Sequence, residues 1–171
     1  MRKFNIALTF DNDISRCIID YAKQLYEILD SDVILGTNSI PHMTIGQFSI
    51  NDDAVKKVWE NYKSLAINTP KIDFAGITIL PSSNGGAWIE ISVIKSRELI
   101  KLQEDLIKII APFGNLTNDI GDKYRPHITI AHTTSGNEFI RFPFEYKTLR
   151  LKEISTFLEI GLGTDFERLN W

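Results

Sequence analysis

The chain opens on a strict alternation. In "KFNIALTF", residues 3–10, Phe4, Ile6, Leu8 and Phe10 fall on one side and Asn5, Ala7 and Thr9 on the other, which predicts a strand with one face in a core. The period then lengthens. Ile14, Cys17, Ile18, Tyr21, Leu25, Ile28 and Leu29 recur at helical spacing and predict a helix from Ile14 to Leu29, capped by Asn12 or Asp13. "DVILG" and "PHMTIGQFSI" read as strands, with Gly36 and Asn38 as turn residues between them. After Asn51-Asp52-Asp53, whose charge suits the positive end of a helix dipole, Val55, Val58, Trp59, Tyr62, Leu65 and Ala66 form a second helical stripe. "KIDFAGITIL" and "AWIEISVI" flank "PSSNGG", a hairpin signal in which Gly85 and Gly86 are free to take positive φ. Ser96 caps a third helix carrying Leu99, Leu102, Leu106, Ile109 and Ile110, stopped by Pro112 and Gly114. Beyond the polar loop "GNLTNDIGDK", "YRPHITIAH" reads as a strand, and residues from about Phe144 to Ile160 supply one or two more.

Helices mixed with hairpin-connected strands predict an α+β fold with antiparallel sheet rather than a doubly wound parallel one. No linker rich in Pro, Gly or Ser divides the chain, so residues 1–171 read as a single domain. A content of 43% hydrophobic and 24% charged residues over 171 positions is enough to bury a real core. The net charge of −3 offers no global basic field for a long duplex nucleic acid, but leaves room for a local patch that holds a small anion. Cys17 is the single cysteine, which excludes an intramolecular disulfide and a multi-cysteine zinc site; on the apolar face of the first helix it reads as a small core residue. The apolar run of "MRKFNIALTF" is too short and alternating for a signal peptide, and no stretch reaches the length of a membrane span. A cytoplasmic protein without a membrane partner is the expectation.

Two stretches change the picture. Residues 41–45 read "PHMTI" and residues 126–130 read "PHITI", so Pro-His-apolar-Thr-Ile occurs twice. In a strand, residues two apart share a face, so His42 stands beside Thr44 and His127 beside Thr129, with Met43, Ile45, Ile128 and Ile130 in the packing. Each strand offers an imidazole that can accept or give a proton near neutral pH, next to a hydroxyl that can hydrogen-bond an oxyanion. Two such strands face to face form a site for a phosphodiester, one imidazole acting as base and the other as acid. The threonines would hold the phosphoryl oxygens as charge develops, with no metal or other cofactor required. His132 also precedes a threonine by two places but lacks the rest of the pattern. The competing reading is a pair of strand histidines satisfied by neighbouring hydroxyls or carbonyls.

Around this pair stand weaker candidates. Arg125, with Lys123 and Tyr124 beside it, would suit a second phosphate or a carboxylate, and Tyr124 could stack on a base. Phe48 continues the His42–Thr44–Gly46 face and could stand at a cleft wall. Trp88 follows Gly85-Gly86 at a strand start and could serve as a stacking platform. "GLGTDF" lacks the Lys-Ser/Thr of a P-loop and the third glycine of a dinucleotide fingerprint.

The two His-x-Thr-apolar motifs resemble those of the two-histidine (2H) phosphoesterase superfamily. The stretch "YRPHITIAH" and the opening "RKFNIAL" are similar to the bacterial RNA 2′,3′-cyclic phosphodiesterases, also called 2′-5′ RNA ligases. The resemblance covers the two motifs tightly and the rest of the chain loosely. It implies a bilobal α+β fold of antiparallel sheets with outer helices, pseudo-twofold symmetry and a central cleft. It implies His42 and His127 as acid and base, Thr44 and Thr129 as phosphate ligands, and a small nucleotide or short RNA as substrate. The alternative is a catalytically silent nucleotide-binding module with the same cleft. Members commonly carry arginine five places after the second histidine, where this chain has His132. Regular alternation puts His132 on the face opposite His127, in a structural role, and a bulge would reverse that placement.

Overall fold

The computed structural model describes residues 1–36, 39–64, 68–83, 85–134 and 150–169. The turn role expected of Asn38, the end of the second stripe at Leu65 and Ala66, and the start of the last strands at Phe144 lie outside the described residues.

Among the described residues, seven strands and three α-helices follow in the order β1 (Arg2–Thr9), α1 (Asn12–Tyr26), β2 (Met43–Ile50), α2 (Asp52–Ser64), β3 (Phe74–Pro81), β4 (Ala87–Val93), α3 (Arg97–Ile110), β5 (His127–Thr133), β6 (Phe157–Leu162) and β7 (Glu167–Arg168). They form two antiparallel sheets, ordered β2-β1-β6-β7 and β3-β4-β5. The α+β expectation is met. Each helix start is satisfied by a side chain: Asp11 accepts from Ile14 N at 2.8 Å, Asn51 from Ala54 N at 2.7 Å and Ser96 from Leu99 N at 3.2 Å. The first cap is thus Asp11, rather than Asn12 or Asp13, and α1 ends at Tyr26 rather than Leu29.

"DVILG" is not a strand. Only Ser31 bridges to Thr133, and Asp32 N donates to the His132 carbonyl, so this segment hangs on the end of β5. The β3–β4 hairpin forms as read, with Gly85 and Gly86 at φ of 88° and 74°. At Gly86 a side chain would also run into the Thr133 carbonyl, so the turn presses on β5 and requires glycine for room as well as for its dihedral.

The two motif strands carry matching irregularities. Ile6 of β1 faces Gly46 and Ala7 faces Thr44, which leaves Ile45 of β2 as an extra residue. Ile89 of β4 faces Ala131 and Glu90 faces Thr129, which leaves Ile130 of β5 extra. Both are β-bulges, at the isoleucine that closes each His-x-Thr-Ile. A bulge frees a backbone carbonyl from the ladder, and a buried carbonyl needs a donor. α1, which follows β1, crosses to pack on β5, and its Tyr26 hydroxyl donates to the Ile130 carbonyl at 2.8 Å. α3, which follows β4, crosses to pack on β2, and its Gln103 Nε2 donates to the Ile45 carbonyl at 3.0 Å. Asn118 Nδ2 adds a second donor to Ile45 at 3.3 Å. The units β1-α1-β2 and β4-α3-β5 therefore interlock, each supplying the cap for the other's bulge. Beneath them one continuous cluster of buried apolar side chains joins both sheets to all three helices.

Gln103 also accepts from Gly121 N at 3.0 Å and donates to the Asp119 carbonyl at 3.2 Å, which ties the loop before β5 to α3. Gln103→Leu removes one of the two donors to the Ile45 carbonyl and leaves Gly121 N without its acceptor, and should lower unfolding free energy by about 1–3 kcal/mol, with Tyr26→Phe costing about 1 kcal/mol, both read from urea denaturation midpoints.

Candidate active site

Because each bulge adds one residue, the side chains after it change faces. On β2 the sequence Pro41 to Gln47 alternates buried and part-exposed as far as Thr44, then buries Ile45 and Gly46 together, so Gln47 returns to the face of His42 and Thr44. On β5, Ile130 and Ala131 are buried together after Thr129, and His132 returns to the face of His127. This corrects two expectations. Phe48 does not reach a cleft wall: it is fully buried and packs on Phe4 with ring centroids 6.0 Å apart, because the bulge at Ile45 turns it into the core and puts Gln47 in its place. His132 does not face away from His127. It is buried behind Trp88, rings 4.0 Å apart, with Nδ1 2.8 Å from Asp32 Oδ1.

His42, Thr44, His127 and Thr129 line one cavity of about 440 Å³. Trp88, 37% exposed, forms part of its wall with Leu80, Pro81 and Leu35, so an apolar wall adjoins the polar pair. Each imidazole is held the same way. His42 Nδ1 donates to the Ile40 carbonyl at 2.8 Å and His127 Nδ1 to the Arg125 carbonyl at 2.7 Å, in each case two residues upstream. With Nδ1 committed to a backbone acceptor, Nε2 is the nitrogen each ring has available for chemistry. Asn5 Nδ2 donates to Thr44 Oγ1 at 3.0 Å, which leaves the Thr44 hydroxyl proton for a ligand oxygen. Tyr124 is buried, and its hydroxyl donates to the Thr44 carbonyl at 2.8 Å. It is a strut joining the two motif segments, not an open platform for a base; burial raises its pKa above the usual phenol value.

Arg125 is engaged with Glu90. Both guanidinium Nη atoms meet the carboxylate, Nη2 at 3.3 Å from Oε1, and the same Oε1 lies 3.3 Å from His127 Nε2. On the other side, the ring of His42 stacks on Phe166 with centroids 4.9 Å apart. Phe166 sits at φ 57° after the turn that follows β6, and it fits there because Gly161 has no side chain: a Cβ would come within 2.8 Å of the ring. "GLGTDF" is thus neither a P-loop nor a dinucleotide fingerprint but the turn that carries Thr164 and Asp165 to the cavity and Phe166 under His42. Glu90, Gln47, Asn5, Asp165 and Phe166 all escaped the sequence reading. Glu90 had a usable signal, an acidic residue within the apolar strand "AWIEISVI". A second cavity of about 380 Å³ shares Thr44, Gln47, Arg125 and His127 with the first and is walled by Thr117, Asn118 and Asp119.

The comparisons agree with this architecture. The sequence profile of the 2′-5′ RNA ligase superfamily matches residues 41–155, a span that holds both motifs. No curated protein sequence matches the chain. Among solved structures, E. coli LigT complexed with 3′-AMP superposes with a TM-score of 0.58 at 14% identity, covering 94% of this chain and 86% of LigT. A structure described as a phosphoesterase gives 0.56 at 14% identity over 99% and 97% of the two chains. The MHV ns2 PDE domain gives 0.54 at 20% identity over 94% and 99%. At these identities the likeness is one of fold. No helix among the described residues is long and apolar enough to cross a membrane.

Burial lowers the pKa of His42 below the ordinary 6.5; its bonds to the Ile40 carbonyl and the Thr164 backbone and the charge of Asp165 oppose this without cancelling it, while His127 adds to it. As pH falls below 6.5 the unfolded chain takes up this proton before the folded one, so stability present at neutral pH declines. Histidine-resolved NMR should show His42 titrating below 6.5, and His42→Gln should flatten that part of the decline in unfolding free energy.

Proposed function

Since the chain belongs to the 2′-5′ RNA ligase superfamily, whose members are two-histidine phosphoesterases, we propose that it is a metal-independent phosphodiesterase that cleaves a 2′,3′-cyclic phosphate or a 2′-5′ linkage in a nucleotide or short RNA. The observation that carries this reading is the matched pair of imidazoles. Each has Nδ1 fixed on the carbonyl two residues before it, and both rings border one cavity. Two imidazoles with Nδ1 held and Nε2 left for proton transfer can take a proton from the attacking oxygen and give one to the leaving oxygen, so the two-proton traffic of phosphodiester cleavage needs no metal. Thr44, oriented by Asn5, and Thr129 would donate to the phosphoryl oxygens where charge builds up. Trp88, braced by His132, offers a planar face for a nucleobase. E. coli LigT has been crystallised with 3′-AMP, ATP and NADP+, ligands that share a nucleotide with the substrate class proposed here. The same chemistry fits a protein acting in the cytoplasm on small RNA ends.

The test is turnover, in excess EDTA, of 2′,3′-cyclic nucleotides and of 2′-5′ and 3′-5′ linked oligonucleotides, resolved by chromatography. His42→Ala and His127→Ala should each lower kcat by about 10²–10⁴-fold on the cleaved class while leaving the protein folded. Binding of the panel with no turnover by the wild type would instead mark a nucleotide-binding module.

A further inference from the structure

The two motifs match in sequence and in backbone, but their surroundings do not. The ring of His42 lies against Phe166, and no carboxylate among the described residues forms an ion pair with it. Asp165 reaches it only through space, and beyond Ile40 the one further hydrogen bond acting on it comes from the Thr164 backbone, among the described residues. His127 instead has a carboxylate at its working nitrogen. Glu90 lies opposite Thr129 across the β4–β5 ladder, is 4% exposed, and places Oε1 3.3 Å from His127 Nε2.

A buried carboxylate next to a site for an anionic substrate needs positive charge around it. Arg125 supplies one cation from its outer side. The inner side is His127. Its Nδ1 already carries the proton donated to the Arg125 carbonyl, so Nε2 can meet Glu90 favourably only as an N–H. Without that proton, a nitrogen lone pair would face a carboxylate lone pair. The 3.3 Å separation is longer than the 2.7–2.9 Å of a strong charge-assisted bond, so Glu90 favours the proton on Nε2 without sequestering it.

We propose that Glu90 is the positioning residue that breaks the symmetry of the histidine pair: it keeps His127 protonated on Nε2, which makes His127 the proton donor to the leaving oxygen and His42 the acceptor from the attacking water. This rests on the phosphodiesterase reading above. As the water oxygen bonds to phosphorus, its proton passes to His42 Nε2. As the bond from phosphorus to the ribose oxygen breaks, that oxygen takes the proton from His127 Nε2. The products are a phosphomonoester and a free hydroxyl, and proton exchange with solvent restores both rings. The burial that disfavours a charged His42 suits the acceptor role. Among the described residues, the other charged or titratable groups lining the two cavities are Arg125, a fixed cation, Asp119 and Tyr124 on the wall of the second, and Asp165 on the His42 side.

The experiment compares wild type, His42→Ala, His127→Ala and Glu90→Gln on three substrates. Adenosine 2′,3′-cyclic phosphate and 2′-5′ diadenylate have leaving oxygens that need a proton; adenosine 5′-(4-nitrophenyl phosphate) has a phenolate that leaves without one. His127→Ala should lose about 10²-fold or more on an unactivated substrate yet stay within about tenfold of wild type on the aryl ester, whereas His42→Ala should fail on both. Glu90→Gln should lose activity on the unactivated substrate only. The basic limb of its kcat/KM profile should move to lower pH, with the acid limb in place. Rescue of His42→Ala instead of His127→Ala reverses the roles, and an unmoved basic limb in Glu90→Gln removes Glu90 from the assignment; either result overturns the inference and leaves the phosphodiesterase reading standing. Failure of the wild type on all three substrates overturns that reading and this inference with it.

Discussion

The two bulge carbonyls, Ile45 O and Ile130 O, set the terms for the rest of the structure. Each is a strong acceptor expelled from its ladder inside a core, where an unmet carbonyl costs about 1–3 kcal/mol. Each is met by a helix that belongs to the other half of the chain, through Tyr26 on one side and Gln103 on the other. Neither β1-α1-β2 nor β4-α3-β5 can satisfy its own irregularity, so the pairing of the halves is written into backbone hydrogen bonding as well as apolar packing. That exchange is what brings β2 and β5 alongside one another, with His42 and His127 on the same cavity.

The bulges also decide which side chains reach the cavity. A regular β2 would present Phe48 and leave Gln47 at the back; a regular β5 would turn His132 away from Trp88. With one extra residue in each strand the fifth position after each histidine returns to the site face, Gln47 in one half and His132 in the other. Family members commonly carry arginine at the second of these positions, and the bulge places that residue on the site side. In this chain His132 serves as a brace for Trp88 and as the anchor of the Ser31–Asp32 segment, whose Ser31 Oγ accepts from His132 N at 3.2 Å.

Most of the fold was legible because period carries it: β1, α3 and the β3–β4 hairpin follow from alternation, helical spacing and paired glycines. The repeated Pro-His-x-Thr-Ile was legible as well, and with it the chemistry that a facing pair could support. What escaped was everything that depends on a departure from regularity or on a partner distant in sequence. A bulge is a registry event between two strands, so nothing in "PHMTIGQF" alone separates a Phe48 that faces the cleft from one that packs on Phe4. "DVILG" has a strand's composition but finds only the end of β5 to pair with, and so becomes a loop whose Val33 and Leu35 wall the cavity. Phe166 follows a glycine-rich turn that gives no hint of His42, and only the space above Gly161 explains its position.

The same division between local and distant explains how a repeated motif comes to hold unequal groups. Proline and the carbonyl two residues back are properties of the motif itself, so both imidazoles inherit one tautomer and one direction. The electrostatic setting is not part of the motif. It is supplied by β4, which has Glu90 opposite Thr129 where β1 has Ala7 opposite Thr44, and by the β6–β7 turn, which puts an aromatic ring rather than a carboxylate on His42. Arg125 meets Glu90 from outside and offsets the charge that β4 carries and β1, with Ala7, lacks. Two-proton chemistry needs one group charged and the other neutral at the same pH, and identical surroundings would work against that difference. The repeated sequence therefore fixes where the two rings stand, and the unrepeated neighbours make their surroundings unequal.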